Sequence, residues 1–330
     1  MQSASETVLK DTIQKRVAYL DNRFDVNKSL VPYGHGRLDA FGQIFNAVSV
    51  EALNIPENRH APDAPTSFPF LWDAAHLNVV QWNASAPNKE PGPLFQNATT
   101  AIAVYGKVDV SNDKLTYPSS TNILNLGFIQ KQIYQLTSPR WPEDIAGLLD
   151  KNLVEQGKST YAKNCIECHS LVDTLNSTRK INAVLVPVVE VGTDGRMATN
   201  FINTRVATGV LEGKKIGIFF GKELGKRESA IDVVMHVTGG TLAHRPIDSL
   251  RSVATQYADN NSDDNPANSL VYKARPIAGV WASAPYLHNG SVPTLHDLLL
   301  TAAERPKQFY VGNRVLDSVK VGNSIEQKSS

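Results

Sequence analysis

Two cysteines occur in 330 residues, and both fall in one five-residue stretch, Cys165-Ile166-Glu167-Cys168-His169. C-x-x-C-H is the attachment signature of c-type haem. The two thiols add to the vinyl groups of one porphyrin, and the adjacent histidine lies beneath the iron as an axial ligand. Two other chemistries use part of the pattern. A thioredoxin-like redox pair expects a strand before the cysteines in a βαβ setting. The approach here is helical instead: Gly157, Tyr161 and Cys165 recur every four residues, Leu153 and Val154 extend the same face, and residues 151–163 contain no proline. A zinc site needs two further ligands at metal spacing, and there is no second cysteine pair to supply them.

Composition narrows the class. With 42% hydrophobic and 20% charged residues the chain reads as an ordinary globular protein, long enough for two domains. A net charge of +1 gives no bulk attraction to nucleic acid or to anionic membrane. No apolar run approaches the ~20 residues that span a bilayer. The longest, Val184 to Val191, is interrupted by Pro187 and Glu190 and reads as a buried strand or loop. The first seven residues carry neither a basic region nor an apolar core, so no signal peptide is visible, although c-type haem is normally attached outside the cytoplasm. The expectation is a periplasmic or secreted bacterial protein whose chain begins inside a longer one.

Along the chain, residues 6–22 have the pattern of an exposed helix with Val8, Leu9, Ile13, Val17 and Leu20 on one side. Turn signals surround His35, which suits a turn histidine bonded to backbone, and helical periodicity returns over residues 38–48. Prolines and asparagines make residues 55–93 loop-rich. They hold Phe68, Phe70, Trp72 and Trp82, with His60 and His76 nearby: a satellite core under a long loop, or one wall of a pocket. Residues 101–110 suit a buried helix or strand, and 124–136 a further helix. Two prolines around Trp141 mark a boundary near residue 140, with Pro142 followed by two acids as a helix opening. Farther on, Gly239-Gly240 closes a stretch of short apolar segments, and residues 254–268 read as a polar surface loop.

The second axial position decides the chemistry of a haem held at His169: a strong ligand makes an electron carrier, and an open site permits peroxide or O₂ chemistry. Candidates are Met197, Met235, His236, His244, His288 and His296. Met235 follows an apolar run and suits core filling. His288 stands on a Pro-Tyr-x-His-Asn-Gly loop, where turn residues can aim a side chain at a buried iron. Arg275 and Trp281 are candidate partners for the propionates and the ring.

Two stretches carry a resemblance. Gly157, Tyr161, Cys165, Cys168 and His169 are spaced like the first helix of cytochrome c domains. Ala284-Pro285-Tyr286-Leu287-His288-Asn289-Gly290-Ser291-Val292, preceded by Arg275-Pro276, resembles a signature of the bacterial di-haem cytochrome c peroxidase superfamily. Residues 272–300 and 36–42 look most similar to the branch that contains the di-haem rubber oxygenase. The resemblance implies a mainly α fold, with cytochrome c-like helical haem domains, long loops and few short strands. It implies a C-terminal haem domain over residues 141–330 and a degenerate or truncated N-terminal domain over 1–140, because such proteins carry one C-x-x-C-H motif per domain and this chain has one. It also places His288 at the haem. The expected function is electron transfer through one covalent haem c, its iron held by His169 and His288, with a small redox protein or an upstream haem domain as partner. The alternative is a haem-dependent peroxidase or oxygenase whose reactive N-terminal haem lies outside this chain. A chain that never binds haem is the third reading.

Overall fold

In the computed structural model, residues 2–104, 106–110, 115–256, 269–311 and 315–325 are described. Helices dominate. In order they are α1 (Gln2–Val26), α2 (Ala40–Asn46), α3 (Gly92–Val104), α4 (Ile123–Tyr134), α5 (Glu143–Ala146), α6 (Lys151–Asn164), α7 (Val188–Val191), α8 (Arg196–Asn203), α9 (Ala230–His244), α10 (Pro246–Thr255) and α11 (Leu295–Leu299). A six-residue π-helical stretch, Ala47–Ala52, continues α2.

Strands are two to four residues long and pair only two by two, all antiparallel: β1 (Arg37–Leu38) with β2 (Thr66–Ser67), β3 (Val79–Val80) with β4 (Ala86–Pro87), β5 (Val184–Pro187) with β8 (Val271–Ala274), β6 (Arg205–Ala207) with β7 (Arg227–Ser229), and β9 (Leu316–Asp317) with β10 (Gly322–Asn323). Ladders this short cannot bury a face of their own. The core is therefore helical. One buried cluster joins Phe41 and Phe45 of α2, Ile102 of α3, Met197 and Phe201 of α8, and Val233, Val234 and Val237 of α9. It draws on residues from both sides of position 140. At its centre Phe201 packs against Phe41, ring centroids 4.6 Å apart, and Phe45, 6.2 Å.

Several local expectations meet the structure here. The helix over residues 6–22 is present as α1, with Val8, Leu9, Ile13, Val17 and Leu20 all exposed. Residues 55–93 contain only single 3₁₀ turns and two-residue strands before α3 begins. Over residues 101–110, α3 ends at Val104. Pro142 opens a helix of one turn only, since Gly147 at φ +91° stops α5. The pair Gly239-Gly240 closes nothing: α9 runs through both, and Gly240 is required there by packing, since a Cβ would overlap the Tyr117 ring. Residues 184–191 form β5 and α7 but are not buried, and Val189 is 89% exposed. Of the polar loop at 254–268, residues 257–268 lie outside the described residues.

Candidate functional site

α6 starts on Asp150, whose carboxylate accepts from the backbone N–H groups of Asn152 (2.8 Å) and Leu153 (3.1 Å), a cap worth about 1 kcal/mol. The helix ends at Cys165, its C-cap residue. Backbone bonds from Cys168 N (3.2 Å) and His169 N (2.8 Å) to the Cys165 carbonyl turn the motif tightly after it. Both thiols are free; Cys165 is half-buried and Cys168 exposed.

His169 is fixed from two sides. Its Nδ1 lies 2.7 Å from the carbonyl oxygen of Arg275. A carbonyl only accepts, so the ring proton sits on Nδ1 and the lone pair on Nε2, the nitrogen left for a ligand bond. The hydroxyl of Tyr161, one turn before Cys165, donates to the carbonyl of His169 itself. A helical tyrosine and a strand-end carbonyl thus hold the imidazole in one orientation.

Arg275 directly follows β8, and β8 also carries the support for His288. The His288 ring stacks on Tyr272 (centroids 4.3 Å, 28° between planes) and meets Trp82 edge-on at 6.5 Å. Tyr272 and Arg275 are three residues apart, so the two histidines are anchored on β8 and on the residue just after it, within about 10 Å of chain. The loop that delivers His288 is locked by a bridge between Tyr286 and Val292 and by left-handed backbone at Leu287 (φ +65°) and Gly290 (φ +63°). Leu287 is branched and pays for that conformation in strain, which persists only where the surroundings enforce it. His288 is buried, and its ring makes no hydrogen bond among the described residues, although its backbone carbonyl accepts from Ser67 N at 2.7 Å. Burial pushes its pKa down to about 4, with Asp194 opposing weakly, so the imidazole stays neutral and its nitrogen lone pair available.

The other candidates are placed elsewhere. Met197 is in the core and Met235 is 42% exposed, so the core-filling role expected of Met235 is filled by Met197. His236 is buried but engaged: Nδ1 lies 2.7 Å from the Lys215 carbonyl, and Nε2 accepts from the Tyr117 hydroxyl at 2.7 Å. His244 and His296 are on the surface. Trp281 donates to the Pro139 carbonyl (3.1 Å) and stacks edge-on against Trp141. Arg275 lies flat over Phe70 at 3.8 Å, and its Nη atoms donate to the carbonyls of Phe70 (3.2 Å) and Trp72 (2.6 Å). The aromatic group at 68–82 is divided. Phe70 and Trp72 stack on each other, Trp82 turns to His288, and Phe68 is exposed. His35 and His60 are exposed as well, whereas His76 is buried between the carbonyls of Arg179 and Tyr134.

One group has no signal in the sequence. Asp73, in left-handed backbone at φ +63°, makes a buried ion pair with Arg179 (2.6 Å), and Ile181 pairs with Leu77 beside it. These contacts clamp the far end of the cysteine segment to the first half of the chain.

The surroundings of the motif permit a test of what it can hold. No residue from 143 to 178 is buried, and Ile145, Leu148, Leu149, Leu153, Leu171 and Leu175 are 47–85% exposed. Apolar surface left open beside two free thiols and an oriented imidazole fits a flat apolar macrocycle held by thioethers. No group of three or more His, Cys, Asp or Glu side chains converges among the described residues, so nothing there completes a zinc tetrad with the two thiols. No helix among the described residues is long and apolar enough to cross a membrane.

Comparison with known proteins follows the same direction. Residues 271–310, which include β8 and the His288 loop, match a family model described as RoxA-like, cytochrome c-like. The chain is 28% identical to uncharacterized protein y4iJ of Sinorhizobium fredii over 96% of its own length and 56% of that protein's. It is 24% identical to uncharacterized protein y4iM of the same organism over 82% of its length and 53% of that protein's. The chain thus spans about half the length of the curated relatives it matches. A cytochrome c-like segment and a mainly helical fold point to haem binding and electron transfer.

Proposed function

We propose that this chain is a c-type cytochrome that holds one haem through Cys165 and Cys168, with His169 and His288 as the axial ligands, and that it transfers electrons. The observation that carries the reading is the arrangement on β8 and the residue just after it: the Arg275 carbonyl orients His169, and Tyr272 supports His288. When bound, a haem supplies a one-electron iron centre whose potential follows its axial ligands, and two histidines give a lower potential than histidine with methionine. The chain's own part is to hold both imidazoles in place, so that neither needs to move when the charge changes. His169 is held through Nδ1 and through its own carbonyl, and His288 by stacking and a constrained loop. This reading places the protein outside the cytoplasm, with a small redox protein or an upstream haem domain as its electron partner.

A second reading, a peroxidase or oxygenase, is favoured by the RoxA-like match and by the half-length coverage of the relatives. In it, the reactive haem belongs to a region outside this chain. The ferric absorption spectrum of protein made with cytochrome c maturation machinery separates the two. A low-spin spectrum unchanged by peroxide or cyanide, turning high-spin in His288→Ala, is the expected result. A high-spin wild-type spectrum that shifts at once with peroxide would overturn six-coordination, and absence of covalent haem would overturn both readings.

A further inference from the structure

A cavity of about 150 Å³ lies between residues 69–97, helix α4 and β8, with no residue of 143–178 in its lining. Phe70, Leu77, Trp82 and Ile133 form apolar walls beside the amides of Gln96, Asn97 and Gln130, and Lys273 and Arg275 bring two cations to it. The pair arises from strand alternation: residues 273 and 275 are two apart and share a face, opposite Tyr272.

Neither cation makes an ion pair among the described residues. The ammonium of Lys273 has three protons to donate and one partner, the Val79 carbonyl at 3.3 Å. The Nη groups of Arg275 are satisfied by carbonyls, but its buried Nε has no partner. Asp73, the carboxylate that Arg275 feels, binds Arg179 through Oδ1 at 2.6 Å and makes no ion pair with Arg275. Lys273 is half-buried where it lines this cavity. Two uncompensated cations at one apolar site are costly unless something anionic joins them.

We propose that this cavity binds a small monocarboxylate with an apolar body of about the size of a benzene ring, the carboxylate meeting Lys273 and the Nε edge of Arg275. The size follows from the volume, since an apolar cavity of about 150 Å³ accommodates benzene. The charge follows from the cations: a neutral apolar guest would leave the ammonium unpaired, and a polyanion would find only two cations among apolar walls and neutral amides. Among carboxylates, two sources fit the chemistry, a free small acid and a haem propionate.

Calorimetric titration of benzoate into the full chain, without haem and haem-loaded, tests this, with benzamide as the uncharged isostere. The expected result is saturable benzoate binding to the haem-free chain. Benzamide, and benzoate on Lys273→Met, should each be at least about tenfold weaker, the loss that follows when a charge-assisted hydrogen bond is removed. Binding that persists in the haem-loaded protein supports a free acid as the natural guest. Binding lost on loading supports the same carboxylate site filled by a propionate. No saturable binding to either form, or equal binding of benzamide and benzoate by the wild-type chain, would overturn the proposal whether or not the Lys273 variant folds. Because the haem-free arm requires no iron ligand, its failure leaves the axial-ligand assignment untouched.

Discussion

Around Phe201, side chains from α2, α3, α8 and α9 exclude water almost completely: Ala198, Val233 and Val237 are 0% exposed. Between residues 143 and 178 the opposite holds, and a 14-residue helix buries none of its side chains. The first region is stabilised by what the chain itself supplies. The second is attached by the Trp141–Trp281 contact before it, the Asp73–Arg179 pair after it and the His169–Arg275 bond within it, and presents leucines to solvent in between. An isolated helix of that length is marginal in water. The segment that carries the cysteines is therefore the part of the molecule whose order depends most on a partner.

The sharpest way to break this contrast is in the core. Phe201→Ala removes a ring lodged between Phe41 and Phe45 and should cost about 3–5 kcal/mol, the range for buried aromatic truncations. Urea unfolding with and without the substitution measures it. A loss below about 1 kcal/mol would mean that the cluster around α8 is not the centre of stability.

Acid should attack the same region next. Burial lowers the pKa of His236, and Lys214 adds to the shift, so the folded chain excludes a proton that the unfolded chain takes up below about pH 6.5. The unfolded state then binds more protons, and stability falls as the pH drops through and below that value until the folded pKa is reached. His236→Gln, whose amide oxygen can still accept from Tyr117, should flatten the stability profile between pH 7 and 5. The change in slope is at most about 1.4 kcal/mol per pH unit, the weight of one proton. Parallel profiles for the two proteins would remove His236 from the account.

What could be read from residues alone was local. The C-x-x-C-H turn, the helix leading into it and the exposed face of α1 each follow from spacing within one or two turns of chain. Helix α9 was harder to see, because two adjacent glycines signal a break unless the Tyr117 ring, more than a hundred residues away, is known to press on Gly240. The Asp73–Arg179 clamp spans 106 residues and the Tyr117–His236 bond 119, separations that no periodicity reports. His288 was legible as a turn histidine on its loop, but its stacking on Tyr272 and the orientation of His169 by the Arg275 carbonyl depend on where β8 lies.

The smallest effect is also the most discriminating. Leu153 on α6 is 64% exposed, so Leu153→Ala in the haem-free chain should change stability by less than about 0.5 kcal/mol, as for other surface positions. Ala is also the better helix former, which offsets part of any lost contact. The same substitution in protein carrying covalent haem should cost distinctly more, because apolar surface that was open would then be covered. Thermal unfolding of both forms, each with and without the substitution, gives the difference directly. Equal costs in the two forms would show that the haem leaves this face uncovered. The exposed leucines between residues 143 and 178 would then have to be explained by a surface other than the cofactor.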